Sequence, residues 1–587
     1  MVADRLSARH RLLPACVLIG LIFLFAFLTI SSFLRKSPTY DEAIHLFAGY
    51  SYLRWGDFRT NPEHPPLAKV LAALPLLALD IRDPRPSSPY WGLILRERDY
   101  SWVIANQMIF LENDAETLFF YAKLPMIALG ILLGIFIHLW AKGLYGMHAA
   151  SAALFIYCLD PNILANSQIV HTDIPFTTFF FISTYFFWRT LTQLSWSNLL
   201  WTSLFFGLAA ITKYSFLTIL PIWGILGMIK IFSSVPLRSG FNYSRWVSSR
   251  WGKAVLLTAI LGSALITAYL FIWAAYALRF NAVPNGGDFH LPLTQVMPES
   301  PILQSLISLG NQYHLFPEAW IYGLLSVFTV LRRLTYLLGQ ISGDGVWLYF
   351  PVAFAVKTPL PTLLLLLVTV GVLISERKDR MAELFLLIPV AVYFSLAVWS
   401  HLNIGLRHLL PVYPFLFVLL GGTVAELWNG RTKIKRGALI LLGLWYLWTS
   451  VSIYPHYLAF FNGLVGGSKN GYKVLADSNL DWGQDLKGLK RWMDRNGVKK
   501  IQLAYFGSAD PGYYGIDALC IPGSLMISSC PKSKNPEVPN HLAISVTYIQ
   551  GVYGTYTGKV LRELVESLRL RTPIATIGHS IFVYRLD

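Results

Sequence analysis

Residues 12–34 read LLPACVLIGLIFLFAFLTISSFL. No charge interrupts the run, which is long enough to cross a bilayer core of about 30 Å as a helix. It is about twice the apolar core of a secretory signal and has no convincing small-residue cleavage site, so it reads as a retained first helix. The rest of the 587-residue chain repeats the pattern. Apolar blocks fall near 116–141, 149–164, 174–191, 197–212, 214–231, 254–277, 358–375, 383–400, 409–427 and 437–454. With the first run these make about eleven expected spans of a polytopic α-helical membrane protein. Composition agrees: 55% of residues are hydrophobic, 14% are charged and the mean hydropathy is +0.50. A soluble chain of this length exposes more polar surface, and a membrane β-barrel gives short alternating segments.

The formal charge of +16 does not point to nucleic acid, because no basic patch with interleaved aromatics accompanies it. Lys and Arg instead collect in short loops. The segments 189–198, 230–253, 376–380 and 429–437 hold thirteen basic residues, whereas 162–173, 213 and 401–408 hold only Lys213 and Arg407. By the positive-inside rule the first set faces the cytoplasm. The N-terminus is then inside, and an odd number of spans puts the C-terminus outside. Residues 1–454 form the membrane domain. Its outer loops, 35–115 and 278–357, are rich in Trp and Tyr and suit the membrane interface. Residues 455–587 are large enough for a domain and alternate strand-like and helix-like stretches, which predicts a small α/β extracytoplasmic unit. Cys520 and Cys530 lie in that unit and are candidates for a disulfide. Asp477, Asp481 and Asp485 are spaced to share one helix edge, and Trp482 is a candidate to stack on a sugar.

Directly after the first run comes YDEAIHLFAGYSYLRWGDFRTNPEHPPLAK, residues 40–69. Asp41 and Glu42 sit where the chain leaves the membrane. A carboxylate there can be tuned into a general base, although a Pro followed by two acids also suits a plain helix start. Asp173, in NSQIVHTDIPF, is a second acid on the same expected face, with His171 beside it. A water or a metal ion between Asp41 and Asp173 is one way for the two to meet. The expected outer-face cations Lys69, Lys213, Lys357 and Arg407 run against the charge asymmetry. They fit a bound anion at lipid-headgroup height, phosphate above all. There is no Walker A or dinucleotide fingerprint, so chemistry with a lipid phosphate as leaving group needs no nucleotide.

The 40–69 segment resembles the first outer loop of the protein O-mannosyltransferases. These carry an Asp-Glu pair followed about twenty residues later by His-Pro-Pro-Leu-small-Lys. The wider group, glycosyltransferase family 39, includes the aminoarabinose transferases of lipid A. GLAAITKYS and HLNIGLRHLLPVYP are similar to two further family segments, with His408 where a Tyr is usual. The resemblance covers roughly residues 12–454. It implies a C-type glycosyltransferase fold and inverting transfer of a sugar from a polyprenyl-phosphate donor to a protein, lipid or glycan hydroxyl. It also implies Asp41 as base, Glu42 assisting and Asp173 as second acid, with His64 and Lys69 lining the site and Lys213 and Arg407 holding phosphate. No cofactor is implied with certainty, and a divalent ion stays open. The setting implied is a bacterial inner membrane, with its lipids as partners. The 278–357 loop is too short for the β-trefoil repeats of the eukaryotic enzymes. A flippase for a lipid-linked sugar and a receptor are the competing readings. Inverted symmetry, common in transporters, is not visible, and a receptor leaves the acid pair unexplained.

Overall fold

The computed structural model describes residues 2–93, 98–235, 238–239, 249–284, 300–330, 334–375, 381–430, 432–522, 538–554 and 557–586. The helices that build the frame are α1 (Val2–Phe33), α2 (Glu42–Trp55), α3 (Leu67–Ala73), α4 (Ala115–Tyr145), α5 (Met147–Leu159), α6 (Asp173–Thr192), α7 (Trp196–Ala210), α8 (Ile219–Phe232) and α9 (Arg250–Ala275). They continue with α10 (Tyr349–Lys357), α11 (Leu360–Ser375), α12 (Met381–Trp399), α13 (Tyr413–Asn429) and α14 (Lys433–Ile453). Every apolar block expected to span is helical.

The number of spans differs from the expected eleven. Among the described residues seven helices are long and apolar enough to cross a membrane, or eight if α10 and α11 count as one span bent by 110°. The bend falls at Thr358-Pro359-Leu360-Pro361, where two prolines forbid a continuous helix. Helices α5 and α7 are only 13 and 15 residues long. Helix α6 has 20 residues, but six are Thr or Ser and it is buried along most of its length. Helices α5 and α6 are largely enclosed by their neighbours, so neither full length nor full hydropathy is needed there, whereas α7 leaves Trp196, Leu200 and Trp201 exposed.

Two glycines mark close approaches. A Cβ on Gly421 of α13 would lie 2.5 Å from the Ala149 carbonyl oxygen of α5, and one on Gly49 of α2 would lie 2.0 Å from that of Lys69 in α3. Small residues let such backbones touch. The Gly49 contact seats α2, and with it Asp41 and His45, against α3.

The C-terminal unit is a five-stranded mixed sheet built from β1 (Lys500–Ala504), β2 (Asp517–Cys520), β3 (His541–Ser545), β4 (Ala575–Ile577) and β5 (Ile581–Arg585), in the order β2-β1-β3-β5-β4. Strand β1 runs parallel to both neighbours, while β5 is antiparallel to β3 and β4. Helices α15 (Leu486–Arg495) and α16 (Lys559–Leu568) accompany the sheet. Ahead of the sheet lie two short 3-10 turns, Ser468–Lys473 and Asp477–Asn479. Cys520 is disulfide-bonded, and Cys530, its expected partner, lies outside the described residues.

The three aspartates of the 477–485 stretch do not share a helix edge, because the helix begins only at Leu486. Asp477 accepts from the Tyr553 hydroxyl. Asp481 accepts from the backbone amides of Thr547 and Gly483. Asp485 binds Lys36 at 2.5 Å and the Ser580 hydroxyl at 2.7 Å. The stretch also runs beside the exit of α1: the Ser37 amide donates to the Gln484 carbonyl and the Tyr40 amide to that of Trp482.

Candidate active site

The adjacent acids Asp41 and Glu42 point to different tasks. Asp41 occupies the N-cap of α2, yet its side chain caps nothing. Glu42 is fully buried. It accepts from the amides of Thr39 (2.7 Å) and Val170 (2.9 Å) and pairs with Lys123 at 3.0 Å. Glu42 therefore ties the loops before α2 and α6 together, and Asp41 is left to face a cluster of chemically active side chains.

That cluster has His171 at its centre. Its Nδ1 lies 2.8 Å from Asp173 Oδ2, and its Nε2 lies 2.8 Å from Arg407 Nη1 and 3.6 Å from Asp41 Oδ2. A guanidinium only donates, so Nε2 accepts and the ring proton sits on Nδ1, toward Asp173. Lys213 Nζ binds Asp173 Oδ1 at 2.5 Å. Arg407 Nη1 stands between the two acids, 3.5 Å from Asp173 and 4.0 Å from Asp41. A guanidinium thus faces the space between the two carboxylates. Asp41 keeps 26% of its side chain exposed, while Asp173 keeps 2%. Burial opposes ionisation of Asp41. The neighbouring His171 and the charge of Arg407 outweigh it and hold the carboxyl at about 2, so it is a carboxylate at neutral pH.

Four regions distant in sequence supply these groups. Asp41 and His45 come from the start of α2, His171 and Asp173 from the start of α6, Lys213 from the turn after α7, and Arg407 from the 3-10 turn that leads into α13. The C-terminal segment supplies two more. Ser478 Oγ accepts from Arg407 Nε at 3.1 Å, and the Trp482 ring lies under the guanidinium at 4.3 Å. His64 stands edge-on to His45 and His171, with ring centres 5.9 and 5.8 Å away.

Two expected site residues lie elsewhere. Lys69 Nζ is buried and donates to Asn61 O at 2.5 Å, Asn61 Oδ1 at 3.0 Å and the Tyr52 hydroxyl at 3.1 Å. Lys357 Nζ donates to the carbonyls of Leu458 (2.8 Å) and Asn479 (2.5 Å). Both cations pin backbone. His45 and Ser478 were not singled out in the sequence. His45 had a usable signal, one helical turn after Asp41 and hence on the same side; Ser478 had none.

The chain was compared with known proteins. Residues 101–239, which include His171, Asp173 and Lys213, match the family model described as dolichyl-phosphate-mannose-protein mannosyltransferase. No curated protein matches significantly. Among solved structures, the chain is similar to ArnT from Cupriavidus metallidurans bound to undecaprenyl phosphate, with 10% identity over 96% of this chain and 97% of that one and a TM-score of 0.45. It is also similar to the S. cerevisiae protein O-mannosyltransferase Pmt1-Pmt2 complex bound to the sugar donor, with 12% identity, 75% and 90% coverage and a TM-score of 0.47. The Archaeoglobus fulgidus oligosaccharyltransferase in its apo form gives 13% identity, 89% and 61% coverage and a TM-score of 0.42. The family match thus falls on residues 101–239 of the 587, the segment that carries His171, Asp173 and Lys213, within a polytopic helical frame.

Proposed function

We propose that the chain transfers a sugar from a polyprenyl-phosphate donor to an acceptor hydroxyl on the extracytoplasmic side, with inversion at the anomeric carbon. The observation that carries this is Asp41: an ionised, partly exposed carboxylate that caps no helix and faces His171 and Arg407. The donor class follows the family match and the phosphate-binding character of a buried guanidinium. In this reading Asp41 orients the acceptor hydroxyl and takes its proton as the oxygen attacks C1. The C1–O bond to phosphate breaks, and the charge that develops on the leaving phosphate is met by Arg407. Asp173, held by Lys213, keeps His171 and Arg407 in place. The face of the membrane follows the asymmetry of Lys and Arg, with the N-terminus cytoplasmic and residues 455–587 outside.

The test is Asp41→Asn in purified protein supplied with labelled polyprenyl-phosphate sugars. Transfer to endogenous or added acceptors is expected to fall about 10²–10⁴-fold, the usual worth of a positioned acid-base group, with donor binding retained. Transfer at the wild-type rate would remove Asp41 from the chemistry.

A further inference from the structure

The three imidazoles beside the two acids have the arrangement of a metal site. The ring centres of His45 and His171 are 4.7 Å apart, those of His64 and His171 5.8 Å, and those of His45 and His64 5.9 Å. One ring nitrogen from each lies within 4.8 Å of the other two. Zinc holds an imidazole nitrogen at about 2.0–2.1 Å, so ring centres in a tetrahedral shell stand about 5 Å from one another. The observed spacings bracket that value, and modest side-chain rotation closes the nitrogens onto one ion.

Further observations point the same way. Nδ1 of His45 and Nδ1 of His64 are buried and have no hydrogen-bond partner. An imidazole nitrogen enclosed without a partner is costly, and a metal ion satisfies it. His171 turns Nδ1 to the Asp173 carboxylate at 2.8 Å, the contact that commonly orients a metal-bound histidine through its second nitrogen. Its Nε2 is met by the cationic Arg407 Nη1 at 2.8 Å. Arg407 Nη1 thus sits in the direction a metal would take and has to leave Nε2 for the ion to bind; its contacts with Ser478 through Nε and with the Trp482 ring do not use that atom.

We propose that His45, His64 and His171 bind one divalent ion that favours imidazole nitrogen, of which zinc is the first choice. Three protein ligands leave a fourth position open. Asp41 Oδ2, 3.6 Å from His171 Nε2, borders that position, and a water or a phosphate oxygen would fill it. The charges that act on the three rings are Asp41 and Asp173 against Lys213, Arg407 and Lys69, so an anionic ligand in the open position tightens the ion.

The test uses the full chain in detergent without donor or acceptor, so its result is independent of any transfer reaction. The protein is stripped with a chelator and titrated with Zn²⁺, and bound metal is counted. Titration with Co²⁺ reads the geometry from its visible spectrum. One equivalent of zinc and a tetrahedral cobalt spectrum are expected. His45→Asn and His64→Asn are each expected to weaken zinc binding at least tenfold, with the melting temperature of the metal-free protein close to wild type. Less than a tenth of an equivalent on the wild-type chain overturns the proposal, whatever the variants do. Undiminished binding in either folded variant also overturns it, and in that case the zinc belongs to another site.

Discussion

At the scale of single residues, adjacent acids prove unequal. Asp41 and Glu42 differ by about 100° around the helix, enough to send one toward His171 and the other into a closed pocket with Lys123. Glu42→Gln leaves Lys123 as a buried cation without its counter-charge, and breaking such a pair costs about 3–5 kcal/mol. It is expected to lower the melting temperature clearly, whereas Asp41→Asn changes activity with little change in melting. Equal melting shifts would contradict this division. Nothing in the dipeptide distinguishes the two roles, because the deciding contacts come from residues 123, 170, 171 and 407. Lys69 gives a second prediction. Burial lowers its ammonium to about 7, against the partial support of Glu63. Between about 7 and its ordinary value of 10.5 the unfolded chain binds more protons than the folded one, so this residue makes stability rise with pH over that window. Thermal melts at pH 7 and pH 10 are expected to show that rise, and Lys69→Met is expected to flatten it.

At the scale of elements, each of the eleven apolar blocks marked by hydropathy is helical among the described residues, because a helix facing lipid or apolar protein must be apolar either way. Hydropathy overcounted spans because the same composition serves a short helix enclosed by others, as α5 is. The His-Pro-Pro-Leu-Ala-Lys motif led to the right segment, but its lysine bonds Asn61 and Tyr52 and its histidine approaches the site. Helix α3 serves instead as the seat for α2. Gly49 makes that seat: any Cβ there meets the Lys69 carbonyl at 2.0 Å, and backbone cannot swing aside as a side chain can. Gly49→Ala is therefore expected to displace α2 and reduce activity together with melting temperature. Gly20, with nothing within 4 Å of an added Cβ, is expected to accept Ala without cost. The pair of melts distinguishes contact from helix propensity, which by itself would favour Ala at both positions by about 1 kcal/mol.

At the scale of the whole molecule, the boundary after residue 454 separates helical and sheet architecture but does not separate function. Residues 478–485 leave the C-terminal unit and lie along the exit of α1, where the Lys36–Asp485 pair at 2.5 Å and the amides of Ser37 and Tyr40 fasten them. From there Ser478 and Trp482 reach Arg407. This convergence was illegible in the sequence, because it joins positions more than seventy residues apart through a turn with no regular period. It makes Trp482 a positioning residue for the guanidinium. A desolvated cation on an indole face is worth up to about 2 kcal/mol, or roughly a thirtyfold change in rate or affinity. Trp482→Ala is expected to reduce transfer by roughly 3- to 30-fold, with more of the loss in kcat than in the KM of the donor if Arg407 acts on the departing phosphate. Trp482→Phe, which keeps a ring face under the cation, is expected to recover part of the loss. If Phe and Ala behave alike, or if the loss lies wholly in KM, the ring contributes packing and not the placement of Arg407. That would leave the C-terminal unit a neighbour of the site rather than part of it.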